Sequence, residues 1–88
     1  MKLFATAALA VTALVALPGV AMAASCYDLW YERNQIYADN GYCFVTDLAI
    51  ETFGNDDCYT KHPDFSWKEQ KRINQIVALE KKKHCHVN

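Results

Sequence analysis

At 88 residues, with nine basic and ten acidic side chains and a formal net charge of −1, the chain has room for one small domain and lacks the basic excess of a general nucleic-acid binder. The first stretch reduces that room further. Met1-Lys2 is a short basic start, Leu3 to Leu17 is uncharged and rich in Ala, Val and Leu, and Pro18-Gly19 breaks the run. Ala21-Met22-Ala23 then places small residues at the outer positions of an A-x-A cleavage site. That layout predicts a secretory signal peptide over residues 1–23, and the apolar run is too short to read as a stable membrane span. Cys26 follows Ala23-Ala24-Ser25, not the Leu-small-small run that precedes a lipoprotein cysteine. Residues 24–88 are therefore expected to form the folded domain, with no membrane span after cleavage.

A core of this size rarely supplies more than about 3–5 kcal/mol, so covalent staples are expected. Cys26, Cys43, Cys58 and Cys85 all follow the leader, and an even cysteine count in a short exported chain implies two disulfides. Charge is unevenly spread. Residues 24–64 carry eight acids and two bases, whereas residues 65–88 carry two acids and six bases.

From Ser25 to Asn40, Leu29, Trp30, Arg33, Ile36, Tyr37 and Asn40 recur at helical spacing. Ser25 is a fitting N-cap, and Asp28 sits in the first turn, where a negative charge suits the helix dipole. Gly41 can take the left-handed conformation that ends a helix, leaving Tyr42 free to pack back on it. A short second helix is expected from about Asp47 to Phe53, capped by Thr46 or Asp47 and closed by Gly54. Asn55 to Pro63 reads as a loop. In the third helix, Ser66 and Glu69 have capping-box spacing, and Ile73, Ile76, Val77 and Glu80 fall on one face. Lys81, Lys82 and Lys83 lie in the last turn, where positive charge is favoured. The expected fold class is a small all-α domain of two antiparallel main helices plus one short helix.

Four cysteines allow three pairings. Cys26 and Cys43 flank the first helix, and at ~1.5 Å per residue they lie roughly 20–25 Å apart, far beyond the ~7 Å reach of a disulfide. Cys58 and Cys85 flank the third helix and fail for the same reason. If the two long helices run antiparallel, Cys26 meets Cys85 and Cys43 meets Cys58. If parallel, Cys26 meets Cys58 and Cys43 meets Cys85. The antiparallel arrangement needs only a short connection, which the second helix supplies, and is the expected one. Each bridge is then worth about 3–4 kcal/mol by loop entropy. The same register sets Glu80 opposite Tyr31 and close to Arg33, which predicts a partly buried Arg33–Glu80 pair, since an isolated charge there would be costly.

The run Arg33-Asn34-Gln35-Ile36-Tyr37-Ala38-Asp39-Asn40-Gly41-Tyr42 resembles the signature of the YARHG domain family, small bacterial domains presumed extracellular. Arg33, Asn34, Ile36, Tyr37, Ala38 and Gly41 match its pattern. Phe44, Leu48, Phe53 and Tyr59 fit the apolar and aromatic positions that follow, and Glu69, Ile73, Ile76 and Glu80 fit its closing helix. The resemblance thus covers nearly the whole mature chain. Asp39-Asn40 stands where the family has its eponymous Arg-His pair, and the four cysteines are not part of the general pattern. What the resemblance implies is a fold and an extracellular location, with no activity attached.

Chemistry-bearing residues are few. His84-Cys85-His86, with His62, could offer zinc or copper ligands, but Cys85 is needed for a bridge. Ser25 and Ser66 are better explained as caps than as nucleophiles. Asp56 and Asp57 are adjacent acids in a polar loop, without the spacing of a calcium site. The aromatics are more informative, being too many to hide in so small a core. Trp30 and Tyr31 point about 100° apart on a helix, so one of them should meet water. Together with Lys81, Lys82 and Lys83 they form the candidate binding surface, although a stapled domain also uses half-exposed rings simply to cover its core. These features point to a non-catalytic exported binding module of the cell envelope, without cofactor or metal. Its expected partner is an envelope polymer or a periplasmic protein and not a nucleic acid. The alternative is a small periplasmic metal-binding protein or hydrolase.

Overall fold

The computed structural model describes residues 24–88; the expected signal peptide lies outside the described residues. Three helices follow in chain order: α1 (Cys26–Asp39), α2 (Asp47–Phe53) and α3 (Trp67–Lys82). The domain is all-α, and the one extended pairing among the described residues is an isolated parallel bridge between Tyr42 and Thr60.

Each helix begins on a side chain that satisfies amides left free by the first turn. Ser25 Oγ accepts from the Asp28 amide while the Asp28 carboxylate accepts from the Ser25 amide, a reciprocal box. Ser66 and Glu69 repeat it at the start of α3. Thr46 alone caps α2, accepting from the Ala49 amide.

The long helices end in the same way despite different residues. After α1, the Tyr42 amide donates to the Tyr37 carbonyl and the Gly41 amide to the Ala38 carbonyl, with Gly41 at φ 79°. This is a Schellman turn, and its usual apolar contact is present as an edge-on approach of the Tyr42 and Tyr37 rings, 5.1 Å between centroids. After α3, the Cys85 amide donates to Glu80 and the His84 amide to Lys81. The left-handed position is held by His84 at φ 56°, which a residue bearing a Cβ occupies at a cost.

Helices α1 and α3 run antiparallel, tied at both ends and along their length. Cys26 is bonded to Cys85 at one end, with Cα atoms 5.4 Å apart. At the other, Asn40 Nδ2 donates to the Glu69 carboxylate at 3.1 Å. Leu29 on α1 and Ile73 and Ile76 on α3 are buried, Ile76 completely. The second bridge, Cys43–Cys58, closes the connection around α2.

The remaining core lies on the other flank of α1, where Trp30, Phe44 and Ala49 cluster with Tyr37, Ala38, Tyr42, Leu48, Phe53 and Val87 packed around them. Rings run through it almost without a break, from Tyr27 through Trp30, Phe53, Phe44, Tyr42 and Tyr37 to Phe65, with successive centroids 4.9–5.9 Å apart. Such tilted and edge-on contacts add to the area each ring buries.

Candidate functional site

A concavity lies where α1, the start of α2 and the segment after α3 meet. It encloses about 380 Å³. Trp30, Arg33 and Asn34 line its α1 wall, because positions three and four apart share a helix face. Phe44, Val45, Thr46 and Ala49 form the second wall and Cys85 to Asn88 the third.

Each wall is fixed by local chemistry. Phe44 is clipped at both backbone groups by one side chain, its amide donating to Asn55 Oδ1 at 2.8 Å and its carbonyl accepting from Asn55 Nδ2 at 3.0 Å. Thr46 is held by its capping role. The third wall is set by the turn through His84, which brings Cys85 back level with Glu80, and Val87 then packs against the aromatic core.

At the rim, Arg33 and Glu80 meet as a fork. Arg33 Nε lies 2.9 Å from Glu80 Oε1 and Nη2 lies 3.1 Å from Oε2. The side chains are 26% and 14% exposed, so the pair is largely out of water and made of charge-assisted bonds. Beside it, Asn34 is 8% exposed. Its Nδ2 donates to the Trp30 carbonyl of its own helix at 2.9 Å.

The other residues singled out from sequence are dispersed. Trp30 is 3% exposed and Tyr31 41%, which corrects the placement of Trp30 on the candidate surface. Phe44, Ala49 and Phe53 cover the Trp30 side of α1, so Trp30 forms the base of the pocket and Tyr31 is the neighbour left at the surface, beside Tyr27 and Phe53. Ile36 is half-buried. Lys81, Lys82 and Lys83 are exposed at the far end of α3, with Lys81 beside His84 and His86 over a shallow depression. Asp56 and Asp57 share a second concavity with Asp39 and Gln35, about 360 Å³ in volume. Among the described residues, no three His, Cys, Asp or Glu side chains converge as a metal ion would need, and all four cysteines are bridged.

Three features carried no clear signal in the sequence. Glu32 and Arg72 form a second fork between α1 and α3, at 2.6 and 2.7 Å. The Arg72 guanidinium holds the Glu32 carboxyl below the usual glutamate value, and Glu32 in turn raises Arg72. Glu69 is also held low, by the Ser66 amide and then Asn40. Finally, Tyr59 and Trp67 are the most exposed large apolar residues. Lys71 Nζ sits 5.1 Å from the Trp67 ring centroid, and the Tyr59 ring lies directly over Gly41, where any Cβ would collide with it.

Compared with known protein families, residues 8–81 match the YARHG domain. The chain belongs to the YARHG domain family. The match takes in α1, α2 and nearly all of α3, and stops before Cys85, so one end of the bridge that closes this YARHG domain, Cys85, falls outside the matched range while Cys26 falls within it. The family consists of small, presumed extracellular modules of unknown function, and the two disulfides fit an oxidising compartment. No curated protein and no solved structure matches the chain. No helix among the described residues is long and apolar enough to cross a membrane.

Proposed function

We propose that this YARHG domain is an exported, non-catalytic binding module of the cell envelope, and that its ligand occupies the pocket between α1, the start of α2 and the segment after α3. The observation that carries this reading is the combination of a pre-formed hollow of about 380 Å³ with a hydrogen-bonded ion pair and a buried carboxamide that line it beside Trp30, Phe44 and Val45. A concavity in which fixed polar groups stand beside aromatic and aliphatic side chains can hold and orient a small ligand. Both ends of the hollow are tied down, one by Cys26–Cys85 and the other by the Asn55 clip, so little order is lost on binding. The signal-peptide pattern of residues 1–23 supports export, and the disulfides support an oxidising destination.

The test is titration of the exported, fully bridged protein with isolated envelope polymers, periplasmic protein fractions and divalent metals, read by thermal shift. Saturable binding that is lost when Val45, an exposed residue of the pocket rim, is changed to Trp is the expected result. Polymer binding unaffected by Val45→Trp would remove the pocket from the account. A chelator-reversible shift with a metal alone would replace this reading with metal handling.

A further inference from the structure

We infer that the outward face of α3 docks on an anionic lipid surface, a contact separate from the pocket proposed above. At about 100° per residue, Trp67, Lys71, Asn74, Ala78 and Lys82 fall in one stripe, about 80° wide and about 22 Å long. All of them are exposed, as are Lys68 and Lys81 at its edges. Both acids of α3 lie on the other side of the helix, with the buried Ile73 and Ile76, and both are engaged. Glu69 bonds Asn40 and the Ser66 amide, and Glu80 bonds Arg33. Arg72 is matched by Glu32. The outward face of α3 is therefore left with lysines and no carboxylate of its own. The acids of α2 stand apart from it. That helix packs on the other flank of α1, with Phe53 against Trp30 and Tyr31, and does not touch α3. Its exposed Asp47 and Glu51 thus lie across α1 from the lysines. One helix diameter is about 10 Å, more than the Debye length of about 8 Å at physiological salt. An anionic plane laid on α3 meets the lysines and little of these acids, and the uneven charge selects that orientation.

Shape and Trp67 favour a lipid surface over a soluble polyanion. The stripe is a ridge, and none of the concavities described above takes in any of its five residues. A ridge gives a single polymer chain one-sided contact, whereas a layer of headgroups closes around it. Trp67 is 73% exposed, with Lys71 Nζ 5.1 Å from its ring centroid. An indole beside an ammonium suits the bilayer interface. The ring enters the headgroup level while the long lysine stem carries its charge to the phosphates. A polyanion offers the lysines the same charge but gives the indole no apolar phase. The contact is peripheral, with α3 lying on the surface and not crossing it.

The test is co-sedimentation of the exported, fully bridged protein with vesicles of phosphatidylglycerol and phosphatidylcholine, set against vesicles of phosphatidylcholine alone. Each lysine near an anionic bilayer adds about fivefold in partitioning. The anionic vesicles should therefore be preferred about 100-fold or more, with the preference falling steeply as salt is added. Lys71→Gln combined with Lys82→Gln should weaken partitioning about 25-fold. Because both residues are exposed, Tm should not change. Trp30 is already buried, so a blue shift of tryptophan emission on vesicles reports Trp67, and Trp67→Ala should abolish it. Equal partitioning into the two kinds of vesicle would overturn the inference. So would anionic binding that the double lysine variant leaves unchanged, because the contact would then lie elsewhere on the molecule. Tighter binding to a soluble polyphosphate, with no blue shift on vesicles, would overturn the lipid assignment in favour of a polymer.

Discussion

Replacing Arg33 and Glu80 by Met, singly and together, isolates the energy of the fork between α1 and α3. A fully buried pair broken on one side costs about 3–5 kcal/mol, because a charge is stranded away from water, whereas an exposed pair contributes about 0–1 kcal/mol. With 26% and 14% of the two side chains exposed, each single change should cost about 2 kcal/mol. The Arg33 stem and the Glu80 methylenes already pack in the seam, so Met at both positions restores apolar contact, and the double variant should lose only about 1 kcal/mol. The coupling, about 3 kcal/mol from losses of 2, 2 and 1, lies far above the ~0.5 kcal/mol expected of independent sites. Urea unfolding with both bridges intact, followed by tryptophan fluorescence, gives the four stabilities of the cycle. If the double variant lost the sum of the single losses, the fork would contribute nothing as a pair and the register argument behind it would fail.

Other predictions concern the turns and the surface charges. His84→Gly relieves the left-handed strain at the end of α3 and should raise stability by about 0.5–1 kcal/mol, roughly 3–6 °C in Tm; an unchanged or lower Tm would show that His84 is held there at no cost. Gly41→Ala should destabilise by about 2 kcal/mol, since it adds left-handed strain to a collision with the Tyr59 ring, and Tyr59→Ala in the same chain should recover part of that loss; no recovery would place the whole cost in the backbone. Glu32 has a folded pKa below its unfolded one, so its contribution is complete above the ordinary value of about 4.3 and fades as pH falls through the depressed value. With both side chains nearly half exposed, that contribution stays under about 1 kcal/mol. Glu32→Gln should therefore flatten the acid limb of the stability–pH curve slightly, and an identical slope in both proteins would refute the linkage. Mass spectrometry of the exported protein should give a chain beginning at Ala24; retention of the first 23 residues would remove the signal-peptide reading.

The all-α class was legible because its signals are local. Caps at Ser25 and Ser66, the glycine after Asn40 and the spacing of Ile73, Ile76 and Glu80 each act within a turn or two of chain. The choice between Trp30 and Tyr31 was not local: it depended on which side of α1 received Phe44, Ala49 and Phe53, and neighbouring helix positions give no hint of that. The Glu32–Arg72 fork was hidden by abundance, since α3 offers several basic residues and only the crossing geometry selects one. The partner of Asn34 was not legible either, because a carboxamide can bond either a loop or the carbonyl four residues back. The turn at the end of α3 was invisible for want of a glycine, His84 having taken the position that Gly41 takes after α1.

The two sulfur links are nested, the shorter lying wholly inside the longer, which spans 59 positions. A single peptide-bond cut anywhere from Cys26 to Cys85 therefore releases nothing: both fragments stay joined and the nicked molecule keeps its mass, plus one water, until it is reduced. In surroundings rich in proteases, such a molecule keeps its two pieces together through a first cut.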